Sequence, residues 1–378
     1  MNFPRILKKR KGYIDRIKPF MQKSVAKVLT GQRRVGKSFL LYQLIEEILA
    51  EEPDANIIYV NLEDFTFSSL QTAEDLHSYI ISHSKEKVKN YIFIDEIQDI
   101  PGFEKVIRSL LLNEDNDIYI TGSNAKMLSG ELATYLSGRY IEFKIYSLSY
   151  SEFLEFHGLT ESETSYELYS RYGGLPYLLN LPLEDETVNE YLKSVYSTIV
   201  FRDVVSRYKL RNTLFLEKLI QFLSENIGNL FSAKNISDYL KSQHTAISVN
   251  QIQSYTEYLN NAFLIHRVER YDLIGKRVFE IGEKYYFENM GIRNIVIGYR
   301  ITDKAKILEN LVYNHLLYKG YDIKVGYYGA NPNKQMDFDH RFDNALYMDG
   351  EFVERKTGAL KLAYEKNKEL AAVHGGPA

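Results

Sequence analysis

Between residues 25 and 145 the chain alternates between two hydrophobic rhythms. Short apolar runs at residues 25–30, 56–61, 91–94, 117–121 and 140–145 read as strands. Between the first two, Phe39, Leu40, Leu44, Ile45 and Ile48 recur at helical spacing. Residues 72–84 and 102–112 are helix-length segments of the same kind. Strands separated in this way predict an α/β fold, a parallel sheet with helices on both faces. After Leu148 the strands thin out, and residues 150–220 read as mostly helical, punctuated by Gly173-Gly174-Leu175-Pro176. Residues 220–290 read as helices followed by a hairpin, with strands at 263–268 and 278–281 around a loop carrying Gly275. From about Ile307 the pattern is helix, strand (321–325), polar loop, then Met336-Asp337-Phe338.

The chain has 378 residues, 45% hydrophobic and 26% charged, which excludes wholesale disorder and predicts two or three domains. It has no cysteine, so disulfides, thiolate–zinc sites and thiol catalysis are excluded. No apolar run approaches the roughly 18–20 residues of a membrane helix, and no h-region follows the basic start. A cytoplasmic location without a membrane partner is therefore the expectation. The formal net charge of −3 conceals an uneven distribution. Residues 1–37 carry 12 Lys/Arg against the single acid Asp15. Without Arg33, Arg34 and Lys37, residues 1–30 still hold nine cations, a hint of a polyanionic partner such as DNA.

The sharpest signal is Gly31-Gln32-Arg33-Arg34-Val35-Gly36-Lys37-Ser38, a full G-x-x-x-x-G-K-[ST] match between a predicted strand and a predicted helix. Glycines let the backbone curl so that its N–H groups converge on phosphate oxygens, and the helix presents its positive end to the same anion. All eight residues are candidate nucleotide ligands, with Lys37 on the β/γ-phosphates and Ser38 on Mg²⁺. Ile92-Phe93-Ile94-Asp95-Glu96 is an apolar strand ending in two acids. Asp95 is the second candidate metal ligand and Glu96 the candidate general base. After the fourth strand, Asn124 or Ser123 is expected to orient the attacking water; an ordinary Gly-Ser-Asn turn is the alternative. Arg139, just before the fifth strand, is a candidate catalytic arginine for a neighbouring subunit of a homo-oligomer, or a plain surface residue. No N-K-x-D motif follows the core, so ATP is expected rather than GTP.

These motifs resemble the AAA+ superfamily P-loop ATPases of bacteria and archaea that carry a C-terminal domain of unknown function. The resemblance runs over about residues 10–337. It is carried by residues 30–38 (TGQRRVGKS), 92–98 (IFIDEIQ), 121–124, 128–143 (LSGELATYLSGRYIEF), 172–176 (YGGLP), 285–294 (YYFENMGIRN) and 309–316 (ENLVYNHL). It implies an AAA-type core, a helical lid, a winged-helix-like segment and a restriction-endonuclease-like terminus. With it, the expected division is a basic segment (1–18), the ATPase core (19–148), the lid (149–213), the winged-helix-like domain (214–300) and a small α+β domain (301–378), degenerate or incomplete.

In that frame residues 248–259 would be a recognition helix, with Lys276 and Arg277 at the hairpin tip. Residues 214–270 balance five Lys/Arg against five Asp/Glu, so the segment fits a protein partner as well as DNA. Glu309, Asp337, Glu354 and Lys356 could be remnants of a nuclease site. The charged stretch Asp339-His340-Arg341-Phe342-Asp343 departs from the apolar strand expected there. The expected activity is Mg²⁺-dependent ATP hydrolysis coupled to a DNA- or protein-directed conformational task. A slow nucleotide-gated switch or DNA-binding regulator, and an ATP-regulated nuclease, are the alternatives. The lack of a recognisable translocation loop favours the switch.

Overall fold

A computed structural model describes residues 8–125, 133–136, 138–242, 247–272, 282–327, 346–348 and 351–352. The chain forms two units. The first holds the chain up to Ser147 together with two short later pieces, Leu175–Tyr177 and Asn261–Phe263.

In the first unit, α1 (Lys11–Ile17) leads into β1 (Ala26–Thr30), α2 (Lys37–Glu51), β2 (Asn56–Asn61), α3 (Ala73–His83), β3 (Asn90–Asp95), α4 (Phe103–Leu110), β4 (Asn116–Gly122), α5 (Ala133–Leu136) and β5 (Tyr140–Lys144). The five strands form one parallel sheet in the order β2-β3-β4-β1-β5. The central strands β1, β3 and β4 are buried along their whole length, which is why they read as continuous apolar runs. Alternate residues face opposite ways. Val28, Ile92, Ile94 and Ile120 pack with Leu76 of α3 and Val106 of α4 on one face. Leu29, Phe93 and Tyr119 are fully buried on the other. A capping box of Thr72 and Asp75 starts α3. By contrast α2 begins at Gly36 with no side-chain cap, so its first N–H groups stay available to a ligand.

The second unit is mostly helical: α6 (Tyr150–His157), α7 (Glu163–Tyr172), α8 (Asp185–Thr198) with a π-helical continuation at Ile199–Ser206, and α9 (Thr213–Glu225). There follow β6 (Leu230–Phe231), α10 (Ala233–Ser242), α11 (Val249–Asn261), β7 (Ile265–Asp272), β8 (Glu283–Phe287), α12 (Met290–Ile297), α13 (Lys304–Tyr318), β9 (Ile323–Tyr327), β10 (Leu346–Met348) and β11 (Glu351–Phe352). The partner strand of β7 is β8, with Ile265 opposite Phe287. The expected strand at 278–281 and the tip residues Lys276 and Arg277 lie outside the described residues. Because β9 pairs with β7, one sheet carries strands from both sides of residue 300.

α12 is the hub of this unit, packing against α7, α8 and α9. Asn289 caps it, accepting from the Ile292 N–H at 3.1 Å. Asn294 Nδ2 donates to the carbonyls of Ser170 and Arg171 at 2.9 Å each. Gly291 is obligatory, because a Cβ there would fall on the Tyr172 carbonyl. The YGGLP and FENMGIRN stretches therefore interlock.

Candidate nucleotide-binding site

The loop after β1 turns because its residues accept unusual backbone angles. Gly31 (φ +148°) allows the end of β5 to close in, with Ile145 N–H donating to Thr30 O at 2.6 Å. A side chain at Gly31 would collide with the Ile145 carbonyl. Arg34 (φ +67°) and Gly36 (φ +93°) complete the curl into α2. Two supports were invisible in the motif. Arg10, counted among the basic N-terminal residues, is buried and donates to the carbonyls of Val35 (3.1 Å) and Tyr146 (2.8 Å), propping the loop from behind. Gln32 Nε2 donates to the Phe263 carbonyl at 2.8 Å, and Pro176 stands against Gly36.

Lys37 is 4% exposed. Its Nζ donates to the carbonyls of Gly31 (3.0 Å) and Gln32 (3.1 Å) and lies 3.9 Å from Glu96 Oε1. Asp95 ends β3, and the Ser38 hydroxyl reaches its carboxylate. Tyr59 OH donates to Asp95 Oδ2 at 3.3 Å, and Thr121 Oγ1 donates to Oδ1. Burial pushes the Asp95 carboxyl up despite the hydrogen bonds from Ser38 and Thr121. Glu96 takes a left-handed backbone (φ +56°), and its N–H donates to Thr121 Oγ1 at 2.9 Å. Thr121 thus clamps both acids. Burial raises the Glu96 carboxyl, but Lys37, Arg33 and hydrogen bonds from Gln98 and Ser123 together hold it below its ordinary value.

The sheet's C-terminal edge therefore brings together the whole loop from Gly31 to Ser38 with Asp95 and Glu96. Ser123 joins them by its bond to Glu96, and Asn124 is buried beside it. Thr121, Gln98 and Tyr59 were not singled out from the sequence. Arg139 is exposed at the opposite edge, because its neighbour Tyr140 pairs with Ala26 at the start of β1. It does not converge with Lys37 of its own chain.

In the second unit, Glu309 Oε1 accepts from Lys284 Nζ (2.9 Å) and Tyr286 OH (2.6 Å), an internal anchor rather than an open acid. Asp337, Glu354 and Lys356 lie outside the described residues. Part of the basic N-terminal segment is also consumed internally. Lys9 and Lys18 pair with Glu47 at 3.0 and 2.7 Å, and Lys27 is buried against Asp117.

Comparison with known proteins identifies the scaffold. A family model described as an AAA domain matches residues 23–154, and a domain of unknown function (DUF8612) matches residues 163–303. An uncharacterized protein of Haemophilus influenzae is 37% identical over 352 residues, covering 90% of this chain and 85% of that one. An uncharacterized protein of Methanocaldococcus jannaschii is 31% identical over 326 residues, covering 82% and 71%. The chain belongs to the AAA+ P-loop ATPases with a C-terminal domain of unknown function. The Walker-type ATPase of Pyrococcus abyssi shares this AAA+ fold at TM-score 0.51 and 16% identity, over 77% of this chain and 96% of that one. A P-loop of the AAA type implies nucleotide binding. Among the described residues no helix is long and apolar enough to cross a membrane.

Proposed function

We propose that this AAA+ protein hydrolyses ATP with Mg²⁺. The observation that carries the reading is the convergence of Lys37, the Ser38–Asp95 pair and Glu96 on one point at the mouth of an uncapped helix. The hydroxyl of Ser38 and the carboxylate of Asp95 are hard oxygen donors already within hydrogen-bonding reach of one another, and they fit Mg²⁺. Among the described residues no three acidic or histidine side chains gather, so the remaining ligands would be phosphate oxygens and water. Bound there, the ion would neutralise charge on the β- and γ-phosphates.

The loop N–H groups and the end of α2 would hold the phosphates, with Lys37 turning from its carbonyl partners to the β/γ-oxygens. Glu96, ionised throughout the neutral range, would orient water in line with the γ-phosphorus. A new O–P bond forms, the bond to the β–γ bridging oxygen breaks, and its electron pair leaves with ADP. The water proton passes to Glu96 and on to solvent. Arg139, on the far edge, would serve only a neighbouring copy.

The reading predicts ATP turnover in the purified protein that chelation of Mg²⁺ abolishes. A wild type that binds ATP yet turns none over would leave a nucleotide-gated switch. The switch reading has its own support. Leu175–Tyr177 and Asn261–Phe263 touch the phosphate loop or the end of β4, while their sequence neighbours belong to the second unit. Nucleotide-dependent movement of the loop would therefore pull on the chain of that unit. A DNA task predicts turnover stimulated by DNA and binding that weakens steeply with salt. No binding at low salt assigns the task to a protein partner.

A further inference from the structure

Two charged side chains meet across the active edge in a way the motif does not require. Arg33 follows β1, whereas Glu63 lies two residues beyond β2, its N–H donating to Asn61 Oδ1 at 3.0 Å. β4 and β3 stand between those strands, so the two chain segments are roughly 14 Å apart at the sheet. Arg33 nevertheless donates to Glu63 Oε1 at 3.1 Å. A bridge of that span passes over the C-terminal ends of β4 and β3, where Thr121, Asp95 and Glu96 sit. Arg33 is 8% exposed, while its neighbour Arg34 is exposed. The charge of Arg33 is also felt at Glu96, where it adds to that of Lys37.

We propose that Arg33 is a cation for the terminal phosphate supplied by the same chain, and that Glu63 is the positioning residue that holds its guanidinium over the site. This deepens the ATPase reading and rests on it. A guanidinium presents a planar fork of donors that matches phosphate oxygens, and Glu63 holds that fork at the edge where the phosphate would lie. Charge on the γ-phosphoryl oxygens and on the leaving oxygen is what such a fork stabilises in the transition state. Arg139 stands at the opposite edge and does not converge on this point within its own chain.

The test uses the full chain and four variants, Arg33→Ala, Arg33→Lys, Glu63→Gln and the double Arg33→Ala/Glu63→Gln. It measures steady-state turnover together with ATP and ADP binding. Arg33→Ala is expected to lower kcat by ~10²-fold or more, with KM and ADP affinity changing only several-fold. Arg33→Lys recovers part of the rate. Glu63→Gln, a change at a half-exposed side chain, lowers kcat by about tenfold. The double variant is no slower than Arg33→Ala alone. An undiminished kcat in Arg33→Ala, equal loss of ATP and ADP affinity, or additive effects in the double variant would overturn the proposal. ADP binding verifies that each variant is folded. If the wild type binds ATP without turning it over, the ATPase reading fails by itself. Arg33 is then judged by binding: its removal must erase the preference for ATP over ADP, and a retained preference overturns the proposal. No nucleotide binding by the wild type overturns both.

Discussion

The two ends of the central sheet each bury a lysine beside an aspartate, yet they are built for opposite purposes. Near the N-terminal edge, Lys27 Nζ donates to Asp117 and to the Val25 carbonyl (2.9 Å), and lies 4.5 Å from the Tyr119 ring centroid. Asp117 Oδ2 accepts in turn from Tyr119 OH (2.7 Å) and Gln22 N–H (2.8 Å). The cluster is closed by protein groups, and even its left-handed residue, Gln22 (φ +59°), spends its N–H on Asp117. At the C-terminal edge the charges of Lys37, Asp95 and Glu96 share space with an uncapped helix start and four positive-φ residues, Gly31, Arg34, Gly36 and Glu96. Burial of charge is common to both ends. What distinguishes the site is an uncapped helix start whose N–H donors are left for a ligand.

The contrast can be broken most sharply at Lys37. Lys37→Ala should abolish nucleotide binding and lower turnover at least ~10³-fold, at a smaller cost in denaturant midpoint than loss of Lys27, because Glu96 keeps Arg33, Gln98 and Ser123. Glu96→Gln should bind ATP yet hydrolyse it ~10²–10⁴-fold more slowly; wild-type turnover would remove Glu96 from the mechanism. At the other end the consequence is structural. Lys27→Met should cost roughly 3–5 kcal/mol in urea unfolding, because Asp117 is left buried without its cation, and the folded fraction should keep its nucleotide affinity. Adding Asp117→Asn should recover part of that loss. If both lysine variants were equally unstable, or both merely inactive, the distinction between the two ends would fall.

The smallest expected effect concerns pH. Glu96 is held below its ordinary value, so it remains ionised as pH falls through the usual carboxylate range and protonates only beneath it. Its contribution to stability is present above its unfolded-state pKa and is lost only as pH drops through the lower folded value. Turnover should therefore change less than about twofold between pH 8 and pH 6 on account of this group. An acid limb inside that window that disappears in Glu96→Gln would contradict the assignment.

The phosphate loop and the Asp95-Glu96 pair were legible because each is contiguous and follows an apolar run. Thr121 was not legible as their clamp, because its contact depends on β3 lying beside β4, and strand order is not written in local pattern. Arg10 misled for a different reason. A count of charges treats every arginine as a surface group, whereas this one spends its fork on the carbonyls behind the loop. The strand expected at 278–281 lies outside the described residues, and β8 beyond it was not legible. The described strand begins at Glu283 and hides Lys284 by pairing it with Glu309, a long-range contact that alternation does not encode.

The threading of Leu175–Tyr177 and Asn261–Phe263 into the first unit limits how the molecule can be divided. A fragment ending at Ser147 would leave the Gln32 amide without the Phe263 carbonyl and the Ala125 N–H without the Asn261 carbonyl. It would be an incomplete nucleotide module. A chimera that exchanges the second unit with that of a relative must keep both pieces matched to their phosphate loop, so recombination between family members is constrained at two places far from any apparent domain boundary.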